Sequence, residues 1–174
     1  MSKKNIKTKI KIGLKIFLPI ACLLWLGFIF SNSLQTGEQS SAQSATVVET
    51  VQKVAKVIAP QSKVANATGE EYDLIHAFVR GCAHFMEFTV LGALLCWCYF
   101  SYTLRIKHFY LPILGIFCVP LLDEYLQSFI AGRGTELMDL ALDICGGAVG
   151  GLLAVTTVVV GLMIYKRRIV KTNK

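Results

Sequence analysis

Four apolar stretches, at about residues 16–30, 81–102, 109–130 and 137–165, constrain this chain more than anything else in it. A bilayer's hydrocarbon core takes about 20 helical residues; the last three stretches are long enough outright, and the first reaches that length if Lys15 snorkels and the flanks contribute. Backbone N–H and C=O groups find no water in lipid, so each stretch must be a helix. The fold class that follows is all-α, an integral membrane four-helix bundle. A 54% hydrophobic content over 174 residues agrees, being high for a soluble domain.

The net charge of +7 would suit a nucleic-acid binder, but the basic residues gather at the two ends and in one short loop, so no nucleic-acid partner is expected. Residues 1–15 carry Lys3, Lys4, Lys7, Lys9, Lys11 and Lys15; residues 166–174 carry Lys166, Arg167, Arg168, Lys171 and Lys174; Arg105 and Lys107 sit between the second and third stretches. Basic flanks stay in the cytoplasm, and four spans place all three clusters there, with both termini inside. The competing reading of the first stretch is a cleaved signal peptide. Its best cleavage box, Ser40-x-Ala42, lies well beyond the apolar run, so retention as a span is expected. The residues before Cys22 make a poor lipoprotein box, and the six cysteines, all in apolar stretches, lack zinc-ligand spacing.

Residues 31–79 then form an external loop. Val47, Val51, Val54 and Ile58 recur at helical spacing, which predicts an amphipathic helix ended by Pro60, lying on the membrane surface or covering the bundle. Thr68-x-x-Glu71 has the form of a capping box and predicts a helix start that runs into the second span. Gly132-Arg133-Gly134 suits a tight turn between spans three and four.

With that topology the ionisable residues fall on one side of the membrane. Arg80 is at the mouth of span two, with His84 and Glu87 about 5 and 9 Å beyond Gly81 on the same face. Asp123, Glu124 and Gln127 occupy the corresponding half of span three, Arg133 the following turn, and Asp139 and Asp143 one face of span four. A charged group at such depth costs about 2.5–3.5 kcal/mol unless paired or wetted, so these residues are expected to share one polar cavity. Each has a blander explanation: Arg80 snorkelling, His84 as a packing residue, Asp123 and Glu124 interfacial if span three ends near Leu122, Asp139 starting a helix among the headgroups. Gly146-x-x-x-Gly150 and Gly147-x-x-x-Gly151 allow close packing of span four on a neighbour.

Several short runs resemble one family: Phe30-Ser31-Asn32-Ser33, Arg80-Gly81-Cys82-Ala83-His84-Phe85-Met86-Glu87-Phe88, Asp123-Glu124-Tyr125-Leu126-Gln127-Ser128-Phe129, Gly132-Arg133, and Asp139 with Gly146-Gly147. Together they are similar to the VanZ-like proteins, over nearly the whole chain. The resemblance implies a bacterial cytoplasmic-membrane protein, in a family named for a member that lowers susceptibility to the glycopeptide teicoplanin. Two positions depart from the family pattern, which commonly has Asn at Asp143 and Tyr at Phe88.

Three functions are compatible with these residues. The leading one is a site, binding or enzymatic, for an amphiphile such as a membrane lipid or lipid-linked envelope intermediate. There His84, Glu87 and Asp139 are the catalytic candidates, and Arg80, Asp123, Glu124, Gln127, Arg133 and Asp143 bind the substrate. No compact ligand motif is present, so no metal site is expected. A carrier is the second, weakened because the inner half of each span lacks polar residues. An accessory subunit whose polar cluster only fixes helix packing is the third.

Overall fold

The computed structural model describes residues 3–172, with side chains described over 8–168, so Lys3, Lys4, Lys7, Lys171 and Lys174 lie outside the described side chains. It is helical throughout, with no strand among the described residues. Helices α1 (Lys3–Ser33), α4 (Glu70–Tyr102), α5 (Tyr110–Gln127) and α6 (Leu137–Thr172) carry the four apolar stretches and are long and apolar enough to cross a membrane. Leu23, Leu24, Phe117 and Leu152 remain exposed on them, as side chains facing lipid do.

Successive spans alternate in direction, so the bundle has a basic end and a polar end. At the basic end Tyr102 donates to the Lys15 carbonyl at 2.6 Å, and the Lys15 ammonium sits 5.2 Å from the Tyr102 ring centroid. The start of α1 is thereby tied to the end of α4, beside the Arg105–Lys107 turn. At the opposite end, Ile29, Phe88 and Leu91 form a core packed by Trp25, Leu26, Phe30, Leu95 and Val119, joining α1, α4 and α5.

Helices α4 and α6 run parallel, and glycine sets their separation. A Cβ on Gly92 would lie 2.0 Å from the Gly147 carbonyl oxygen, one on Gly146 2.3 Å from that of Phe85, and one on Gly150 1.8 Å from that of Thr89. The backbones therefore meet directly, the packing that small residues four apart permit in a membrane. Gly147 and Gly151, on the adjacent face, receive Ile116 of α5.

Between α1 and α4 lie α2 (Gly37–Ile58) and the single-turn α3 (Lys63–Asn66). The predicted loop helix is present and stops before Pro60, but it begins ten residues earlier than its valine stripe, at a capping box. Thr36 Oγ1 accepts from the Gln39 N–H at 3.2 Å while Gln39 Oε1 accepts from the Thr36 N–H at 3.0 Å. The apolar stripe does not pack into the protein: Val48 is fully buried, whereas Val47, Val51, Val54 and Ile58 are exposed, as they would be on a helix lying at a membrane surface. Here α2 packs on α3, which holds the buried Ala65, and Gln52 Nε2 donates to the Ala67 carbonyl at 3.0 Å. The expected capping box at Thr68 does not form; α4 begins at Glu70 with Gly69, at φ 57°, as its N-cap and no side-chain cap.

Span three also stops earlier than its apolar run, at Gln127. The chain then turns through Gly132, whose φ of 73° favours glycine, and the Gly37 N–H donates to the Ala131 carbonyl at 3.1 Å. That contact seats the start of α2 against the α5–α6 turn.

Candidate functional site

Parallel α4 and α6 begin at the same end, so residues one turn apart on one helix meet residues one turn apart on the other. Arg80 Nη2 donates to Asp139 Oδ2 at 2.8 Å. A turn further in, His84 Nδ1 stands 3.3 Å from Asp143 Oδ1. The helix-face spacing of Arg80, His84 and Glu87 continues the series, but Glu87 turns toward α1. Its Oε1 accepts from Asn32 Nδ2 at 2.9 Å, and its main-chain carbonyl accepts from Trp25 Nε1 at 2.8 Å.

The end of α5 supplies the facing wall. Asp123 is held on both oxygens, by the Ser33 hydroxyl and by Gln127 Nε2, the latter at 2.6 Å. Its neighbour Glu124 points to the α6 side, where Oε2 accepts from the Glu136 N–H at 3.0 Å. Both carboxylates are buried within the protein, 1% and 6% exposed, and α5 continues past them to Gln127 rather than ending near Leu122. Arg133 reaches back from the turn and donates from Nη1 to the Ser33 carbonyl at 3.4 Å. Burial, then the nearby Arg80, draw the Arg133 guanidinium below its usual pKa, against the opposing pull of Asp123, Asp139 and Glu124.

A cavity of about 160 Å³ lies among these groups. Six of the nine residues singled out from the sequence line it: Arg80, His84, Glu87, Asp123, Gln127 and Arg133. Asp139 and Asp143 stand behind that wall, against Arg80 and His84, and Glu124 faces the turn. Asp139 is thus placed to hold a guanidinium in position rather than to meet an occupant. Glu136, 3.9 Å from Arg80, is a further acid on this side that sequence reasoning passed over.

Most of the remaining lining comes from residues with no expected role; the exception is Val47, part of the loop-helix stripe expected to lie on the membrane surface or cover the bundle. Asn32 and Ser33 belong to a family-like run, yet nothing in the spacing of α1 indicated that they would hold the carboxylates of α4 and α5. Ser40, Gln43, Ser44 and Val47 of α2 close the cavity from above. Their signal was present in plain form: Ser40, Ser44 and Val47 follow i, i+4, i+7, and Thr36-x-x-Gln39 marks a helix start just before them.

Several buried polar atoms here have no hydrogen-bond partner: Nε of Arg80 and of Arg133, Nδ1 of His84, Oε1 of Glu124 and both carboxylate oxygens of Asp143. Two guanidinium groups with N–H to spare suit an anion such as a phosphate. His84 and Glu87 on the same wall suit proton transfer.

A family model described as VanZ/LLP1 matches residues 18–162, which take in all four spans in whole or in part, the loop helix and every residue of the site. No curated protein and no solved structure matches the chain.

Proposed function

The chain belongs to the VanZ/LLP1 family, and on that premise we propose that its polar pocket binds the phosphate-bearing headgroup of an amphiphile at the outer leaflet, a polyprenyl-linked or glycerolipid envelope molecule. The observation that carries this reading is that Arg80 and Arg133 both line the cavity, each retaining a buried Nε–H without a partner. His84 and Glu87 are the acid–base candidates for any reaction there, and Asp139 positions Arg80. Confinement of the polar groups to one end of the bundle speaks against a transport path, which would continue to the midplane or beyond. The accessory-subunit reading draws on a different observation: Asn32 with Glu87, Ser33 and Gln127 with Asp123, and Asp139 with Arg80 already satisfy one another.

Orientation follows from the basic end. Lys15, Arg105, Lys107, Lys166, Arg167 and Arg168 flank the spans opposite the pocket, which supports a cytoplasmic basic end and an outward pocket. A Lys107→Cys chain is expected to resist a membrane-impermeant thiol reagent added to intact cells and to react once the membrane is opened. Labelling from outside would invert the topology and move the pocket to the inner leaflet.

The binding test uses purified full-length protein in nanodiscs, titrated with a polyprenyl phosphate and with the neutral polyprenol of the same length. Phosphate-selective binding is expected, and Arg133→Lys should weaken it about tenfold, because a lysine keeps the charge but loses the planar fork. Equal affinity for phosphate and alcohol would remove the headgroup reading.

A further inference from the structure

Three side chains in or just behind the pocket wall, drawn from three different helices, converge on one point. One ligand atom each of His84 on α4, Asp123 on α5 and Asp143 on α6 lie within 4.8 Å of one another. Asp143 is 0% exposed, and neither of its oxygens has a hydrogen-bond partner. Its neighbour His84 Nδ1 stands 3.3 Å away yet is itself unpartnered, so the two are near without hydrogen-bond geometry. From this geometry we infer that His84, Asp123 and Asp143 hold a divalent transition-metal ion on the cavity wall.

The His84–Asp143 distance and the donor chemistry agree with that assignment, and Asp123, within 4.8 Å, completes the set by a small side-chain movement. Two ligands each about 2.0–2.2 Å from a common ion stand about 2.9–3.5 Å apart, the range in which His84 and Asp143 lie. One imidazole nitrogen with two carboxylate oxygens is a borderline-hard set that suits Zn²⁺ or Mn²⁺ better than Ca²⁺ or Cu⁺. Two carboxylates and a neutral imidazole carry two negative charges, matched by the ion. Neither arginine is placed to do this: Arg80 bonds to Asp139 and Arg133 to the Ser33 carbonyl. Asp123 is also oriented as a metal-binding carboxylate is, its oxygens fixed from behind by Ser33 and Gln127 while lone pairs remain for an ion. His84 and Asp123 both line the cavity, so an ion there faces the space that Arg80 and Arg133 border. The sequence did not reveal this set because its members are separated by about 20 to 40 residues and share no local motif.

The inference deepens the headgroup reading and rests on it only for the ion's role, which would be to bind phosphate oxygen beside the arginines. Binding of the ion itself is measured without lipid. Full-length protein purified in detergent is stripped with chelator, dialysed against Zn²⁺ or Mn²⁺, and assayed for bound metal per chain and for the thermal unfolding midpoint. About one ion per chain is expected, with a midpoint that rises on adding metal. Asp143→Asn, which keeps the shape and removes a charged ligand, should weaken binding at least tenfold and abolish the rise. Glu49→Gln, an exposed position of α2 outside the pocket, should bind as the parent does. Should Asp143→Asn fail to accumulate, His84→Gln carries the same test.

No stoichiometric ion in the parent protein, or undiminished binding in the ligand variants, overturns the site and leaves His84 and Asp143 as a buried proton-sharing pair. Ion binding with no preference for polyprenyl phosphate upholds the site and removes the headgroup reading. Phosphate-selective binding by an ion-free protein does the reverse.

Discussion

Gly150→Val is expected to unfold far below the parent protein, and Gly161→Ala to unfold with it. A Cβ at Gly150 would lie 1.8 Å from the Thr89 carbonyl oxygen, with the Ala93 nitrogen at 2.9 Å. Both are backbone atoms of α4, so no rotamer change on the far side can make room. Overpacking a well-filled interior costs about 1–3 kcal/mol, and a clash between two backbones belongs at or above the top of that range. Parting α4 from α6 would also separate Arg80 from Asp139 and His84 from Asp143, adding unpaired groups to the loss. A Cβ at Gly161, by contrast, meets nothing within 4 Å. Denaturant titration in detergent micelles reads the difference directly. A Gly150→Val midpoint equal to the parent's would mean that the two helices do not touch there.

Glu87→Gln is expected to lose function while folding normally. Glutamine has the volume of glutamate, and its carbonyl oxygen can still accept from Asn32, the bond that fixes the side chain now. What disappears is the negative charge and the capacity to carry a proton. General acid–base catalysis is worth about 10²- to 10⁴-fold, so a reacting site should lose at least two orders of magnitude in turnover. In a deletion strain carrying the variant at parental abundance, the profile of envelope lipids should match that of the empty strain. Function at the parental level would favour the packing reading, in which matched, volume-conserving swaps are tolerated.

The sequence was most informative where one element decides the outcome. Helix identity followed from apolar length, and the i, i+4 spacings of Arg80 with His84 and of Asp139 with Asp143 correctly put each pair on one face. Which group would meet which depends on the offset between two parallel helices, and that offset is set by the glycine seam, a tertiary quantity. Gly146 and Gly150 announced close packing without naming the partner. The loop shows the opposite case: three valines and an isoleucine at helical spacing mark a stripe that stays exposed, while the buried residue, Val48, sits one position from Val47. Local chemistry also competes with itself. Thr36-x-x-Gln39 and Thr68-x-x-Glu71 have equivalent capping patterns, and only the first forms the box, because Gly69 at positive φ starts α4 in the second case. The carboxylate partners Asn32 and Ser33 escaped notice since an amide and a hydroxyl at the end of a span read as ordinary interfacial residues.

The parallel ladder between α4 and α6 has a consequence for how the protein is made. Arg80 and His84 are synthesised about 60 residues before Asp139 and Asp143, so three spans reach the membrane while their partners are still in the ribosome. During that interval Arg80 carries the roughly 2.5–3.5 kcal/mol penalty of an ionised side chain in the bilayer and His84 the cost of a polar group without its neighbour, each relieved only by snorkelling or by water at the insertion channel. Arrival of α6 discharges both penalties at once, and its glycines allow the approach that makes this possible. The ladder therefore ties the settling of span two to the arrival of the last helix.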